Sequence, residues 1–390
     1  MSEKKIHVVA IGNYRPDRQI SMQRFADLIL ETLPAKGVSV ELLCPEIHLS
    51  RLAVRSRELS KWLGYFDKFV VFPRRLHRFF EALSPEKRQR TVVHVCDHSN
   101  SPYLRSLPPL PHLITCHDLM AVRLALGTLP GPAVRWSGRR LQSMIRRGLN
   151  RAQSVVCNSD NTRQDLHQVC TLAESRTSTI RYQLNYAYAP LSSVNARTLI
   201  GQWLVDDGRP MILHVGKNSW YKNRDGLLRI FCRVLERAKE RRPRLVVVGS
   251  PMTSVQADFI RDQGLHDDVL HIAECPSREL QAFYSLASVF LFPSKYEGFG
   301  WPPIEAQACG CPVVAGRGGA LGEVLEESAL TADWSEEEQL ASHVVEVLSV
   351  PALSERLREA GFRNVARFQP PRMIDDYVSH YQRLVSQTAK

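Results

Sequence analysis

Two glutamates stand eight positions apart in a segment rich in glycine and proline, where residues 297–305 read Glu-Gly-Phe-Gly-Trp-Pro-Pro-Ile-Glu. An apolar run, Ser288–Phe292, precedes the segment, and a Pro-Pro pair suits the first turn of a helix. The pattern predicts a strand, then a glycine loop with Glu297, then a helix N-terminus that carries Glu305. Such a loop suits a sugar ligand, because glycines admit close approach and helix starts offer N–H groups. The alternative is a buried strand, a capped helix and two solvated acids.

A second chemical segment follows the strand predicted over Met211–Val215. Gly216 permits a tight turn, and Lys217 and Lys222 stand in the loop behind it. A diphosphate there would meet two ammonium groups and the N-terminus of the next helix. Charge-assisted hydrogen bonds of this kind contribute roughly 1.5–3 kcal/mol each. Two solvated lysines are the alternative.

His117 follows a third predicted strand, His112–Cys116, with Asp118 beside it. Histidines in this position either act at a reacting centre or pair with the backbone inside a core. The nine cysteines include no CxxC pair, and no metal-ligand cluster is visible, so neither a disulfide framework nor a metal site is predicted. No cofactor is expected.

The elements that must position these residues alternate between apolar strands and polar-faced helices. Such alternation predicts an α/β protein with parallel sheets covered on both faces. The pattern weakens over 184–209 and then restarts. We therefore predict a first Rossmann-like domain over 1–195, a second over 205–372, and a final helix, 373–390, that crosses back to the first domain. Two doubly wound domains that face each other would place the ligand cleft between them.

Composition narrows the function classes. With 390 residues, 44% hydrophobic and 23% charged, the chain has ordinary globular content, and its N-terminus predicts a strand rather than a signal peptide. No run approaches the roughly 18 apolar residues of a membrane span. The formal charge of +11 is concentrated in a basic, aromatic stretch over 51–90 and in a basic run over 135–151. These stretches indicate either helices with buried apolar faces or contact with an anionic membrane surface. No nucleic-acid motif is present.

The second half of the chain resembles glycosyltransferase family 4, a group of retaining enzymes with the two-domain GT-B architecture. The resemblance rests on Gly216, on the Lys222-Asn223 pair and on the two glutamates eight positions apart. It continues through residues 306–315 and the pairs Gly318-Gly319 and Glu323-Val324. The first half is similar but looser, through His117-Asp118-Leu119 and the segment 158–166. The resemblance covers essentially all of the second domain.

The resemblance implies a role for each matching residue. Lys217, where the family usually has arginine, and Lys222 would hold the donor diphosphate. Glu297 would act at the donor sugar and Glu305 would accept hydrogen bonds from the ribose hydroxyls, while His117 would lie beside the sugar. Lys222, Glu297 and His117 are thus the residues implied in catalysis. The remaining implied donor contacts are made largely by backbone, at Gly216, Gly298, Phe299 and Gly300.

One departure from the family lies in the first strand-to-helix loop. Many members have Gly-Gly there, whereas Gly12 is followed here by Asn13, and then by Arg15 and Arg18. We expect these residues, Gly12 with the two arginines, to form a changed acceptor side suited to an anionic acceptor. No Asp-x-Asp pair occurs, so the metal clamp of many other glycosyltransferases has no obvious ligands. Cationic side chains and a helix dipole are then expected to neutralise the leaving diphosphate.

The resemblance therefore implies a retaining hexosyltransferase that moves a sugar from a nucleotide-sugar donor to a saccharide or lipid-linked acceptor. The missing Asp-x-Asp pair predicts that it works without a metal ion. Among the donors, GDP-mannose is favoured over UDP-sugars, because Glu297-Gly298-Phe299-Gly300 resembles a motif that is frequent among mannosyltransferases. Synthesis of a cell-surface polysaccharide or glycolipid is the expected setting, in the cytoplasm and peripherally at the inner face of an anionic membrane. A non-hydrolysing sugar-nucleotide epimerase of the same architecture is one alternative. The other is a basic membrane-surface or nucleic-acid binding protein with a degenerate catalytic half.

Overall fold

The structure is a computed structural model that describes residues 5–17, 19–49, 57–203 and 207–388. The chain divides into two compact units. The first contains the described residues up to Asn185 and those from Pro370 onward, and the second is Tyr186–Gln369. Each unit is built on a six-stranded sheet whose strand pairings are all parallel. The predicted α/β class is confirmed.

Twelve strands lie within the described residues. In chain order they are β1 His7–Ile11, β2 Ser39–Leu43, β3 Thr91–Val95, β4 His112–Cys116, β5 Ser154–Cys157, β6 Thr177–Thr179, β7 Met211–Val215, β8 Arg244–Val248, β9 Val269–Ile272, β10 Val289–Phe292, β11 Val313–Gly316 and β12 Leu330–Ala332.

Sixteen α-helices lie in the same part of the chain. They are α1 Ile20–Thr32, α2 Arg57–Phe66, α3 Phe72–Glu81, α4 Pro85–Gln89, α5 Met120–Leu126, α6 Trp136–Arg151, α7 Asp160–Val169, α8 Ser193–Ile200, α9 Arg224–Arg237, α10 Ser254–Asp262, α11 Ser277–Leu286, α12 Trp301–Ala308, α13 Leu321–Leu325, α14 Glu337–Ser349, α15 Pro351–Val365 and α16 Arg372–Thr388. A short π-helix, Asp67–Val71, joins α2 to α3.

The first sheet has the strand order β2-β1-β3-β4-β5-β6. Its central strands read as near-continuous apolar runs, and β1 is buried along its whole length. Burial on both faces is what a parallel sheet between two helical layers requires. The order reverses between β1 and β3, so the loops after these two strands lie at the edge where doubly wound folds bind ligands.

The second sheet has the order β12-β11-β10-β7-β8-β9. Counted within the unit, this is the 3-2-1-4-5-6 order of the Rossmann fold, and it reverses between β7 and β10. The loop after β7 carries the predicted lysines, and the loop after β10 carries Glu297. The topology therefore brings the two predicted donor-binding segments to one edge of one sheet.

Helix α16 belongs to the first unit, although it comes at the end of the chain. Two of its tyrosines reach the sheet: the Tyr381 hydroxyl lies 2.8 Å from His94 Nδ1, and the Tyr377 hydroxyl lies 2.9 Å from Thr115 Oγ1. These buried hydrogen bonds fix the helix on strands β3 and β4.

The region that connects the units is partly helical, where the sequence pattern shows only a loss of regularity. Helix α8 packs on α11 within the second unit. Around it, Leu191 N donates to Ser285 Oγ at 3.1 Å and Gln281 Nε2 donates to Ala189 O at 2.8 Å. Helix α8 buries only Ala196 and Ile200, and two apolar positions are too few to produce a recognisable helical period.

The basic, aromatic stretch over 51–90 is partly packed and partly exposed. Helix α3 places Phe72, Leu76 and Phe80, each four residues apart, in the core of the first unit. Its basic residues lie on the opposite face, as in an ordinary amphipathic helix. On α2, by contrast, Trp62 is 70% exposed and Phe66 is 46% exposed. Helix α3 thus fits the reading of a buried apolar face, and the exposed aromatic residues of α2 fit the reading of membrane contact. Residues 50–56 lie outside the described residues.

Candidate functional site

The loops after β7 and β10 are tied to each other by hydrogen bonds. Lys295 N donates to Tyr221 O at 2.7 Å, and Asn223 Nδ2 donates to Pro293 O at 3.1 Å. Tyr221 and Asn223 flank Lys222, and Lys295 lies two residues before Glu297. The predicted donor-binding side chains are therefore carried on loops whose relative position is fixed.

Asn223 makes this link from an unusual backbone conformation. Its φ of 54° and ψ of 44° lie in the left-handed region, which asparagine tolerates better than most residues. Its side chain passes under the first turn of α9, where a Cβ on Gly226 would clash with it. The pattern Lys222-Asn223-x-x-Gly226 thus has a structural cause, since the asparagine ties two loops together and the glycine makes room for it.

Lys222 and Glu297 form a buried ion pair at this edge. Lys222 Nζ donates to Glu297 Oε1 at 2.7 Å, and each side chain is only 10% exposed. The ammonium also lies 4.6 Å from the centre of the Phe292 ring. Because removal of one partner of such a pair leaves an uncompensated buried charge, the two residues constrain each other.

Glu297 is positioned by a glycine pair from the loop after β11. Glu297 N donates to Gly318 O at 3.2 Å, and Ala320 N donates to Glu297 O at 2.8 Å. Gly319 has a φ of 67°, and a Cβ on either glycine would clash with the backbone of residues 295–297. This backbone-on-backbone contact explains why two consecutive glycines stand at 318 and 319.

Glu305 lies in the second turn of α12 and is 4% exposed. Its Oε2 accepts a hydrogen bond from the Tyr284 hydroxyl at 3.0 Å. Burial, followed by the charge of Glu305, raises the pKa of Tyr284 well above its ordinary value, so this hydroxyl remains a donor. Tyr284 thereby fixes the direction of the carboxylate.

Gly216 and Lys217 stand beside Lys222. A Cβ on Gly216 would lie at an ordinary contact distance of 3.5 Å from Lys222 Cδ, and its φ is not positive. The tight turn expected here therefore does not itself require glycine. The Lys217 residue as a whole is exposed. Its ammonium is nevertheless partly shielded from water, and this shielding, followed by the charge of Lys222, lowers the pKa of Lys217.

Helix α12 begins at Trp301, two residues earlier than predicted, and Gly300 precedes it with a φ of 98°. The Pro-Pro pair consequently occupies the second and third helical positions, which removes two of the N–H groups expected at this helix start. Gly298 is half-buried, and the Phe299 ring packs edge-on against Phe368 with 5.6 Å between ring centres. Phe299 thus offers a ligand its backbone, not its ring.

In the first unit, His117 is buried and both of its ring nitrogens have partners. Nε2 lies 2.6 Å from Cys96 O, and because a carbonyl only accepts, Nε2 carries the proton. Nδ1 then accepts a hydrogen bond from the Tyr182 hydroxyl. Burial lowers the pKa of His117, against an opposing effect of Asp97, so the ring is neutral near pH 7.

A polar cluster that sequence reasoning missed lies where the order of the first sheet reverses. Asn13, after β1, donates to Asp97, after β3, and its Oδ1 accepts from Asn100 Nδ2 at 3.0 Å. Ser99 N also donates to Asp97 Oδ1, at 2.9 Å. Burial alone would raise the pKa of Asp97, yet nearby histidines and the bond from Asn13 lower it below its ordinary value. Asn13, at the position where many family members have a second glycine, thus fastens the two loops together.

Of the three residues predicted for the acceptor side, Gly12 and Arg15 lie among the described residues. Gly12 lies at the end of β1, where its N donates to Leu43 O at 2.9 Å and a Cβ would come within 2.8 Å of Cys44 Sγ. The Arg15 side chain is 69% exposed and lies 3.5 Å from Asp27. It borders a cavity of about 550 Å³ that is also lined by Arg75. Arg18 lies outside the described residues.

The described residues offer neither a metal cluster nor a membrane-spanning helix. No group of three or more His, Cys, Asp or Glu side chains is arranged to hold a metal ion. No helix there combines the length and apolar character needed to cross a membrane.

Comparison with known protein families matches both halves of the chain. The family model described as glycosyl transferases group 1 matches residues 195–364, and the model described as glycosyltransferase family 4 matches residues 22–181. The chain belongs to glycosyltransferase family 4. The resemblance inferred from the sequence is confirmed.

Curated relatives of this family 4 member carry several names. One is a D-inositol 3-phosphate glycosyltransferase from Thermobispora bispora, which is 30% identical over 67% of this chain and 61% of its own length. Another is the O-antigen chain mannosyltransferase B of Escherichia coli, 23% identical over 81% of this chain and 83% of its own length. The chain spans a little over three-fifths of the length of this first relative and of two others with the same name.

Solved structures agree on the fold. A sucrose-phosphate synthase from Thermosynechococcus elongatus superposes with a TM-score of 0.70 at 22% identity, with 98% of this chain and all of that chain covered. Anabaena HepE, solved with UDP and glucose, superposes with a TM-score of 0.66 at 14% identity, with 98% of each chain covered. These likenesses confirm the predicted GT-B class for this family 4 chain.

Proposed function

We propose that this chain transfers a sugar from a nucleotide-sugar donor to a saccharide or lipid-linked acceptor, and that the second unit binds the donor. The observation that carries the proposal is the buried Lys222–Glu297 pair, which stands where the order of the second sheet reverses. A diphosphate needs a cation and a sugar needs hydrogen-bond acceptors, and this pair supplies both in one place. The names of the curated relatives support the same activity.

The roles we assign follow from the chemistry of each group. Lys222, with Lys217 in a less buried position, holds the diphosphate and takes up the charge that develops on the leaving nucleotide. The N-terminus of α9, which begins directly after the lysine loop, adds a favourable dipole. Glu297 and the backbone that follows it bind the sugar, and Glu305, held by Tyr284, accepts from the ribose hydroxyls.

For the chemical step we propose retention, with attack on the same face of the sugar as the departing diphosphate and without a metal ion. The neutral state of His117 and the use of its one N–H by Cys96 O make it a fixed polar group rather than a proton donor. The anomer of the first-formed product, read by NMR before any mutarotation, tests this assignment. An inverted product would contradict it.

Among donors we favour GDP-mannose, which the name of the Escherichia coli relative supports. The test is a panel of GDP- and UDP-sugars, assayed for binding and for slow hydrolysis, with Lys222→Ala as the control variant. We expect one nucleotide sugar to be hydrolysed by the wild type and not by the variant. A donor that is epimerised and never cleaved would favour the epimerase. If no nucleotide sugar bound, the proposal would fail.

We also propose that the first unit contacts an anionic membrane at the cytoplasmic face, where a lipid-linked acceptor would be found. Two observations support this: the exposed Trp62 and Phe66 on α2, and the exposed Trp136 on α6, with Arg140 5.4 Å from its ring centre. Aromatic and basic groups together suit the headgroup layer. Co-sedimentation with anionic vesicles, but not with neutral ones, is the expected result, and equal binding to both would contradict electrostatic docking.

A further inference from the structure

The buried pair has a consequence for ligand discrimination. Lys222 Nζ is shared: in the protein alone it is bound by Glu297 at 2.7 Å, whereas a diphosphate would bind the same ammonium. Since both side chains are only 10% exposed, neither can turn to bulk water when it loses its partner. A ligand that takes Lys222 must therefore give Glu297 something in return, or leave a buried carboxylate uncompensated.

We propose that Glu297 and the donor diphosphate compete for Lys222, and that the sugar decides the outcome by supplying hydroxyl groups to the displaced carboxylate. A nucleotide sugar replaces both halves of the ion pair at once. A nucleoside diphosphate without the sugar replaces only one half and places its own negative charge beside Glu297. The pair therefore selects the sugar-bearing nucleotide and helps to expel the nucleoside diphosphate once the sugar has left.

The surrounding backbone supports an exchange of side-chain partners rather than a movement of loops. The lysine loop is fixed to the loop after β10 through Lys295 N and Tyr221 O at 2.7 Å. Glu297 is held on both sides, by Gly318 O at 3.2 Å and by Ala320 N at 2.8 Å. With the backbone held at these points, the ammonium and the carboxylate remain near each other in every ligand state.

Charge arithmetic makes the effect measurable. Near neutral pH a free nucleoside diphosphate carries about one more negative charge than its sugar conjugate. The reason is that the terminal phosphate of the free diphosphate loses a second proton at about pH 6. A purely cationic site would therefore bind the free diphosphate more tightly. Our inference predicts the opposite for the wild type, with the nucleotide sugar bound about tenfold more tightly than the free diphosphate, a difference of roughly 1.4 kcal/mol.

The test is isothermal titration of the full chain with GDP, GDP-mannose, UDP and UDP-glucose. Glu297→Gln keeps the shape of the side chain but removes its charge, so we expect the Kd of the free diphosphate to fall about tenfold and that of the nucleotide sugar to stay constant or rise. The double variant Lys222→Met with Glu297→Gln should bind the free diphosphate no more tightly than Lys222→Met alone, because the competition needs the lysine. Glu337→Gln is the matched control, because it removes a carboxylate from an ion pair with Arg229 in the same unit, outside the loops after β7 and β10, and it should tighten neither ligand.

The inference rests on the proposed function, and the two can fail separately. If the wild type binds both ligands of a pair and Glu297→Gln binds the free diphosphate no more tightly, competition for Lys222 is refuted while donor binding stands. If the wild type binds none of the four ligands, the proposed function itself is wrong. If Glu297→Gln fails to fold, the Kd values of the wild type alone test the inference. Tighter binding of the free diphosphate than of the nucleotide sugar would overturn it.

Discussion

The carboxyl edges of the two sheets are built from different chemistry. In the second unit, the edge is charged: a lysine and a glutamate pair at 2.7 Å, and glycine backbone holds the acid in place. In the first unit, the edge is a hydrogen-bonded network in which Asn13 bridges to Asp97 and His117 is a neutral ring with both nitrogens occupied. Both edges lie where a strand order reverses, so topology alone does not account for the contrast.

The contrast indicates a division of labour. An ion pair can exchange one partner for a ligand of like charge, and such a site suits a diphosphate. A hydrogen-bonded network in which the Asp97 carboxylate is already held by Asn13 and Ser99 keeps its shape and exchanges partners less readily, which suits a surface that orients a hydroxyl-bearing molecule. The predictions below ask whether the exchangeable ion pair is confined to one edge and the fixed hydrogen-bonded network to the other.

The largest effect is expected from removal of the cation at the charged edge. Lys222→Ala should lower kcat/KM for the donor about a hundredfold, close to 3 kcal/mol, because the leaving diphosphate loses its buried partner. Steady-state kinetics check this. The matched control is Lys295→Ala, whose ammonium lies 4.5 Å from the Trp334 ring centre and should change the rate less than threefold. A loss below threefold for Lys222→Ala would remove this lysine from the diphosphate site.

The second prediction concerns one buried histidine in each unit. Burial lowers the pKa of both His94 and His214 to about 3, so each stays neutral when folded but takes up a proton below about pH 6.5 when unfolded. Their contribution is therefore present above pH 6.5 and is lost as the pH falls towards 3. Each should cost roughly 1.4 kcal/mol of unfolding free energy per pH unit between about pH 6 and 4.

The same two histidines differ in their partners. His94 bonds to the hydroxyls of Tyr381 and Thr115 at 2.8 Å each. His214 bonds to Leu291 O at 3.0 Å through Nδ1, and its Nε2 has no hydrogen-bond partner among the described residues. At pH 8, His94→Leu should destabilise by about 2–3 kcal/mol and His214→Leu by about 1 kcal/mol. Hydrogen exchange in peptides that cover β3 and β7 measures each unit separately. Equal costs, or slopes unchanged by the substitutions, would contradict this account.

A third prediction separates binding from chemistry at the charged edge. Glu305→Gln should raise the donor KM about tenfold, near 1.4 kcal/mol, and leave kcat within about threefold, because a ribose contact is the same in the ground state and the transition state. Tyr284→Phe removes the hydroxyl that orients the carboxylate and should raise KM by a smaller factor. An unchanged KM in Glu305→Gln would give this residue a structural role only.

The smallest effect is expected at the hydrogen-bonded edge of the first unit. Tyr182→Phe removes the hydrogen bond to His117 Nδ1 and should reduce kcat about fivefold, close to 1 kcal/mol, by loosening the ring. Tyr377→Phe is the matched control, since it removes a buried hydroxyl bonded to Thr115 in the same unit. Both variants should lose similar thermal stability. If both also kept full activity, His117 would be an ordinary core histidine.

The sequence was sufficient for the main strands of both sheets. The bounds predicted for His112–Cys116 and Met211–Val215 coincide with β4 and β7, since buried parallel strands are short apolar runs between turn residues. Strands β6 and β12 were missed. Each has only three residues at the edge of its sheet, and β6 reads Thr-Ser-Thr, which has no apolar period.

The candidate site divides in the same way. Lys222, Glu297 and Glu305 could be named from local motifs, but their partners could not. The pair of Lys222 with Glu297 spans 75 positions, and that of Asn13 with Asp97 spans 84, so both depend on sheet order rather than on spacing. Tyr284 carries no local signal at all, because a tyrosine on an amphipathic helix is usually a core residue.

The structure of the full chain bound to its nucleotide sugar tests the central claim most directly. The account predicts a diphosphate oxygen within about 3.2 Å of Lys222 Nζ, with the Glu297 carboxylate turned to the sugar hydroxyls. A nucleotide sugar bound elsewhere, with the Lys222–Glu297 pair still closed, would contradict it.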